Sequence, residues 1–267
     1  MEENTQVSVI ESQDTALYLL TKAEIDIAIA TAKAFPRSVK QSIDRAKSIA
    51  GVSQAVAASC TYAVPRDGKN ITGPSVRLAE IMCSSWGNIN SGARIVNNDG
   101  KRITAQGVCH DLETNNRITI EVVRKITYKD GRTYSEDMQT TAGNAACAIA
   151  FRNAVYKAIP SAIVNEVWEA AKDVAKGDVA TLPARRAKAI EFFKAKGVTD
   201  KQILTTLEVK KMEDIDLDKL YLLAAMKTSI EVEGVTIESL FSKTPESKKE
   251  SMKEKAKAGE QSSIPMP

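Results

Sequence analysis

The stretch Arg117-Ile118-Thr119-Ile120-Glu121-Val122-Val123-Arg124-Lys125-Ile126-Thr127-Tyr128-Lys129 decides the fold. Ile118, Ile120, Val122, Ile126 and Tyr128 share one parity. Arg117, Thr119, Glu121, Val123, Lys125, Thr127 and Lys129 share the other. Period-two alternation of this kind predicts a strand with one apolar face and one polar, mainly basic, face. Turn signals surround it: Asn98-Asp99-Gly100, Glu113-Thr114-Asn115-Asn116 and Asp130-Gly131. Ile103 to Cys109 reads as a second strand, and Thr133-Tyr134-Ser135 opens a further one. The centre of the chain is therefore expected to be an antiparallel meander.

Helical spacing takes over on both sides. Before the meander, Leu19, Ala23, Ile27, Ala30 and Ala34 predict a helix that Pro36 ends. Val39–Ala50 and Gln54–Tyr62 read as two more helices, followed by a basic turn at Pro65–Asn70. Gly73-Pro74-Ser75 opens another helix, which closes at Trp86-Gly87-Asn88. After the meander, a helix from about Thr140 to Ile159 is packed with Ala142, Gly143, Ala145, Ala146, Ala148 and Ala150. Such small side chains let a helix lie close against a sheet or a neighbouring subunit. The expected architecture is α+β, an antiparallel β-meander packed with helices plus a small all-α C-terminal module. The expected divisions are a flexible N-terminus at 1–15, a core at 16–176, a linker at 177–183, the helical module at 184–241, and a Lys/Glu/Ser-rich disordered tail at 242–267.

Charge sharpens the division. The 267 residues carry a net charge of only +3, but residues 66–157 hold 13 basic and 9 acidic residues, and residues 161–241 hold 12 basic and 14 acidic. A local basic excess is the electrostatic footprint of a phosphate-backbone binder. Several classes are excluded. The longest apolar runs, such as Ala145–Phe151, are too short to span a bilayer, and the polar, acidic start does not read as a secretory signal, so the expected location is cytoplasmic. The four cysteines form no CxxC pair and read as small buried hydrophobes. His110 is the only histidine and reads as structural. No phosphate loop, dinucleotide fingerprint or zinc-protease motif is present, so no cofactor is expected. Asp99, Asp111, Glu113, Asp130 and Asp137 are numerous enough to raise a metal-dependent nuclease as an alternative, although Asp99 and Asp130 sit in turn sequences.

The basic candidates gather on two elements. Arg152 and Tyr156 are four residues apart and share a helical face, with Lys157 about 100° round from Tyr156. Lys125 and Lys129 lie on the basic parity of the long strand. A groove between that helix and the basic side of the meander would track a phosphate backbone. Tyr128, Tyr134 and Tyr156 are candidate platforms for unpaired bases.

The stretches Gly73-Pro74-Ser75-Val76-Arg77-Leu78-Ala79-Glu80, Ser85-Trp86-Gly87-Asn88, Ala105-Gln106-Gly107-Val108-Cys109-His110-Asp111-Leu112 and Asn144-Ala145-Ala146-Cys147 resemble a phage single-strand annealing recombinase. The resemblance, to the RecT, Red-beta and Erf superfamily, covers about residues 35–172. The order of elements is also similar to the annealing domain of the eukaryotic Rad-fifty-two family, where Asp130-Gly131-Arg132-Thr133-Tyr134-Ser135-Glu136-Asp137 matches a strand. It implies ATP-independent annealing of complementary single-stranded DNA by a homo-oligomeric ring or filament in homologous recombination, with no catalytic side chain. Arg152 then matches a basic groove residue on the last core helix, Tyr156 occupies a second basic place, and Lys157 lies one beyond it. Pro74 stands where the first helix places a basic contact, with Arg77 three residues on. The resulting DNA-binding set is Arg77, Lys125, Lys129, Arg132, Arg152, Tyr156 and Lys157. The resemblance also implies a partner for residues 184–241, a phage exonuclease or the host single-strand-binding protein. A protein that protects single strands without annealing them is the nearer alternative.

Overall fold

The computed structural model describes residues 2–66 and 69–241; the expected disordered tail, 242–267, lies outside them. The chain is a mixed α and β protein with two small antiparallel sheets and a C-terminal group of helices. Helix α1, Glu2–Ala34, is continuous, so the expected loose N-terminus is helical from Glu2. After Pro36, α2 (Val39–Ala50) starts where the Ser38 side chain accepts from the Gln41 amide. This cap satisfies one of the amides that a first helical turn leaves open. Helix α3 is short, Gln54–Ser59. The chain then enters a hairpin that the sequence reading missed, β1 (Thr61–Arg66) against β2 (Lys69–Pro74). Pro65 reads as a turn residue, yet a strand on the edge of a two-stranded sheet tolerates its missing amide.

Helix α4 (Val76–Trp86) is capped by Ser75, whose side chain accepts from the Leu78 amide, and Gly87 ends it at φ +70°. The meander follows: β3 (Ile89–Asn98), β4 (Arg102–Asp111) and β5 (Asn116–Lys125), in the order β3-β4-β5. Strand β5 stops at Lys125, short of the Tyr128 and Lys129 expected in it. Beyond it Thr127 bridges Thr133 alone, and the Tyr128 amide donates to the Arg132 carbonyl, so the further strand expected at Thr133 is a tight turn. Ser135 caps α5 (Glu136–Ala158), which begins four residues before the expected start.

Residues opposite one another in an antiparallel sheet share a face. Ile95, Ala105 and Val122 align, as do Ala93, Gly107 and Ile120, and Ser91, Cys109 and Ile118. This is the face that α5 covers. Along β4 the burial alternates, with Ile103, Ala105, Gly107, Cys109 and Asp111 buried and the residues between them partly open. The helix presents Gly143, Ala146 and Ala150, and it comes so close that a Cβ on Gly107 would stand 2.2 Å from the Ala150 carbonyl oxygen. The small-residue helix thus lies against the sheet, as its composition allows.

Two cores fill the remaining space. In the first, Leu78, Met82 and Trp86 of α4 meet Val155 of α5 and Val164 and Val167 of α6 (Ser161–Lys176). The second belongs to α7 (Leu182–Ala195), α8 (Asp200–Leu207), α9 (Leu217–Glu231) and α10 (Ile237–Phe241), with Phe193, Ile203, Leu223, Met226 and Phe241 fully buried. Ala63 of β1 belongs to this second core. The Ser229 hydroxyl of α9 accepts from the Ala63 amide at 2.8 Å and lies 2.6 Å from its carbonyl. The segment read as a module is therefore stitched to the hairpin, and the expected 177–183 linker holds a short 3₁₀ turn with α7 already begun at Leu182.

The close approach at Gly107 gives a sharp expectation. Gly107→Ala should lower the urea midpoint by an amount equivalent to about 3 kcal/mol, because the backbone of Ala150 has to move. Gly92→Ala, on the open side of the same sheet with nothing near its Cβ, should change stability by less than about 0.5 kcal/mol.

Candidate nucleic-acid interface

With α5 on one side, the opposite face of the meander is left to solvent. The register places Arg94, Gln106 and Glu121 in one row, Asn90, His110 and Arg117 in a second, and Arg102 opposite Lys125 at the far end. Arg94, Arg102, Arg117 and Lys125 are all exposed. Among the described residues none of the four is in an ion pair, and Glu121 is the only carboxylate within these rows. From Arg102 to His110 the face runs eight residue steps, roughly 27 Å at about 3.4 Å each. At the β3 side it is hollowed into a basin of about 350 Å³ lined by Asn90, Arg94, Gln106, His110 and Arg117. The His110 ring stands 3.0 Å from the Asn115 side-chain oxygen in the next turn.

This arrangement works against its own stability. Arg102 stands directly opposite Lys125, and like charges directly opposite one another destabilise an antiparallel pair. An extended polyanion laid along the strands removes that repulsion. The face offers hydrogen-bond donors, and the one ring among its described residues is the His110 imidazole, held against Asn115. It is suited to phosphates and sugars rather than to stacked bases.

Of the seven residues singled out from the sequence, only Lys125 lies on this face. Lys129 is exposed in the turn beyond β5. Arg132 sits at the same tip, paired with Asp130 at 2.8 Å and lying over the Tyr128 ring. Tyr128 and Tyr134 pack edge to face at 4.9 Å, so the two rings engage each other. Arg77 pairs with Glu80 on α4. Lys157 is exposed on α5, beside Ile120 and Tyr156 on the covered side of the sheet. The expected groove between α5 and the basic side of the meander is absent, because the helix packs on the apolar side.

Arg152 and Tyr156 have structural partners. Nη1 of Arg152 donates to Oε2 of Glu233 at 2.7 Å, and its guanidinium lies 4.5 Å from the Tyr62 ring centroid. Glu233 is 3% exposed and also accepts from the Val76 amide. Arg124 of β5 adds two bonds to the same loop, to the carbonyls of Glu233 and Gly234. The Tyr156 hydroxyl donates to the Ser75 carbonyl at 2.7 Å, and burial raises its phenol pKa well above the usual value. Sequence spacing set these side chains on one helical face but gave no sign of a partner 81 residues away. Arg94, Arg102 and Arg117 were missed as site residues although strand parity carried the signal.

The carboxylates also resolve into local roles. Asp111 is buried and pairs with Arg37; it accepts from Trp86 Nε1 at 3.4 Å and from the Glu113 amide at 3.0 Å. Glu113 accepts from the Arg37 amide and side chain and from Asn88. Burial pushes its pKa up, but the hydrogen bonds from Asn88 and Arg37 outweigh that and hold it below the ordinary carboxylate range. Asp99 accepts from the amides of Lys101 and Arg102 within its turn. Asp137 lies in the first turn of α5, at the Arg102 end of the sheet, whereas Asp111 ends β4. Among the described residues no three acidic, histidine or cysteine side chains converge on a metal-sized site. Burial pushes the Cys60 and Cys109 thiols up to about 12, as expected of inert core cysteines. No helix is long and apolar enough to cross a membrane among the described residues.

Compared with protein-family models, curated proteins and solved structures, the chain matches none.

Breaking the Glu233 node tests which role Arg152 has. Arg152→Ala leaves a buried carboxylate without its cation and should cost about 3–5 kcal/mol in urea unfolding, while the folded fraction keeps its affinity for a single-stranded oligonucleotide. Intact stability with lost affinity would return Arg152 to the DNA-binding set.

Proposed function

We propose that the chain binds single-stranded DNA along the outer face of β3, β4 and β5 and anneals complementary strands without a nucleotide cofactor, working as a homo-oligomer in phage recombination. The observation that supports this most is the row of cations, Arg94, Arg102, Arg117 and Lys125, without an ion pair among the described residues, on a sheet face with one carboxylate in its rows. A surface of this kind grips the backbone and leaves base edges free. Free base edges are what strand pairing requires, and contacts confined to the phosphates leave them open. The sequence resemblance to annealing recombinases points the same way, and it supplies the recombination context. The carboxylates give the nuclease alternative little support, since Asp99, Asp111 and Glu113 are engaged by neighbours and Asp111 and Asp137 lie at opposite ends of the sheet.

Salt dependence is the direct readout. Four phosphate contacts should give a slope of log affinity on log salt of about −3, from roughly −0.7 per contact on single strands. Arg94→Ala combined with Arg117→Ala should flatten it by about 1.4. In the same samples, complementary oligonucleotides should pair faster with protein than without it, in the absence of ATP. Slower pairing would favour the protector, and no binding at low salt would sink both readings.

A further inference from the structure

The basin at the β3 side of the exposed sheet face differs in shape and charge from the rest of that face. Its floor holds Gly92 and Val108, which stand opposite each other on β3 and β4. Glycine puts no side chain there, and a Cβ built on Gly92 would meet nothing within 4 Å. Two walls flank the floor. Arg94 and Gln106 stand in the register row on one side, and Asn90, His110 and Arg117 in the row on the other. Along β3 the walls are four residue steps apart, roughly 14 Å at about 3.4 Å each. Among the described residues no carboxylate lines the basin. Glu121 accepts from the Gln106 side chain at 3.4 Å but lies outside the lining.

The basin also marks the end of the cationic track. From Arg102 and Lys125 the face passes Arg94 and reaches Arg117 in its last outward row, and the chain then turns through residues 112–115, which include Glu113 and no basic residue. A recess with a wall at each end suits a group that terminates a chain, whereas a continuing backbone needs an open channel. Charge points the same way. A phosphodiester inside a strand carries one negative charge and two free oxygens, while a terminal phosphomonoester carries about −1.5 to −2 at pH 7 and three acceptor oxygens. The basin answers with two guanidiniums and the side-chain amides of Asn90 and Gln106, all of them donors. The other two cations of the face have carboxylates near them. Asp99 accepts from the Arg102 amide, and Asp137 shares a cleft with Lys125.

We propose that the basin holds the terminal phosphomonoester of a single strand, so that the protein binds phosphorylated strand ends in preference to strand interiors. The phosphate sits over Gly92, flanked by Arg94 and Arg117, and the strand runs away from it toward Arg102 and Lys125. The missing side chain at Gly92 is what makes room for it, and a larger residue there would close the site without touching a charge. This inference rests on the DNA reading proposed above and adds to it the place where a bound strand begins.

Fluorescence anisotropy on the full-length protein tests it, with one internally labelled oligonucleotide made with a 5′-phosphate, with a 3′-phosphate, or with hydroxyls at both ends. The strand phosphorylated at one of its ends should bind about tenfold more tightly than the hydroxyl form, the effect of a further charge-assisted hydrogen bond. Gly92→Val fills the hollow with a side chain that strands accept and leaves Arg94, Arg102, Arg117 and Lys125 in place. It should erase the preference, with the affinity for the hydroxyl form and the circular-dichroism melt unchanged. Arg102→Ala should weaken all three strands alike and keep the preference. Should Gly92→Val fold poorly, competition on the wild type decides: inorganic phosphate should remove the preference, and sodium chloride at the same ionic strength should not. Equal binding of the three strands by the wild type overturns the proposal and leaves the DNA reading standing, whereas no binding of any strand at low salt ends both. A preference that survives Gly92→Val in the folded protein, or that Arg102→Ala removes, overturns it as well. So does thymidine 5′-monophosphate binding as tightly as the phosphorylated strand, the sign of a site for free nucleotides.

Discussion

The contact between Gly107 and the Ala150 carbonyl fixes which face of the meander is left to solvent. A helix that approaches a sheet so closely needs glycine or alanine on both sides, and β4 and α5 supply them at Ala105, Gly107, Ala146 and Ala150. Once α5 is seated, strand parity leaves no freedom. Every odd-numbered residue from Ile103 to Cys109 faces the helix, and the even-numbered residues face water with their partners on β3 and β5. A one-residue slip would bury Arg117 and Lys125 beneath α5 and put Ile118 and Ile120 in water. The basic face is thus a consequence of packing on the other side of the sheet.

The second constraint is the buried carboxylate of Glu233. It gathers Arg152 of α5 and the Val76 amide of α4, and its own loop is held by Arg124 of β5. The ion pair lies between the meander and the C-terminal helices and ties them into one body, together with the bonds from Ser229 to Ala63 and the contact between Tyr221 and Thr61. A buried pair of this type is weak evidence for net stability, because desolvation offsets much of the attraction, but losing either member is costly. That asymmetry makes Arg152, on the helix expected to bind DNA, a residue whose loss the fold would feel.

Much of this was legible in the sequence, and the limits have physical causes. The alternation from Arg117 to Lys125, the turn at Asn98-Asp99-Gly100 and the run of small residues after Thr140 each specify local geometry through side-chain size and period, and the structure contains each. The β1–β2 hairpin was hidden because Gln54–Tyr62 reads as helix and Pro65–Asn70 as a turn, and because Ala63 is covered by the distant C-terminal helices. The partners of Arg152 and Tyr156 on α5 were hidden for the same reason. Periodicity tells which residues share a face, but not which distant carboxylate that face meets. On the sheet the opposite held, since Arg94, Arg102 and Arg117 needed only the register to fall into place beside Lys125.

Arginine footprinting tests the central claim directly. Modification by phenylglyoxal, read by mass spectrometry with and without a saturating single-stranded oligonucleotide, reports on each guanidinium separately. The account predicts that Arg94, Arg102 and Arg117 react in the free protein and are protected by DNA, while Arg124 and Arg152 react slowly in both states because they are held by the Glu233 loop. Protection confined to Arg77 and Arg132, with Arg94, Arg102 and Arg117 as reactive as before, would contradict it.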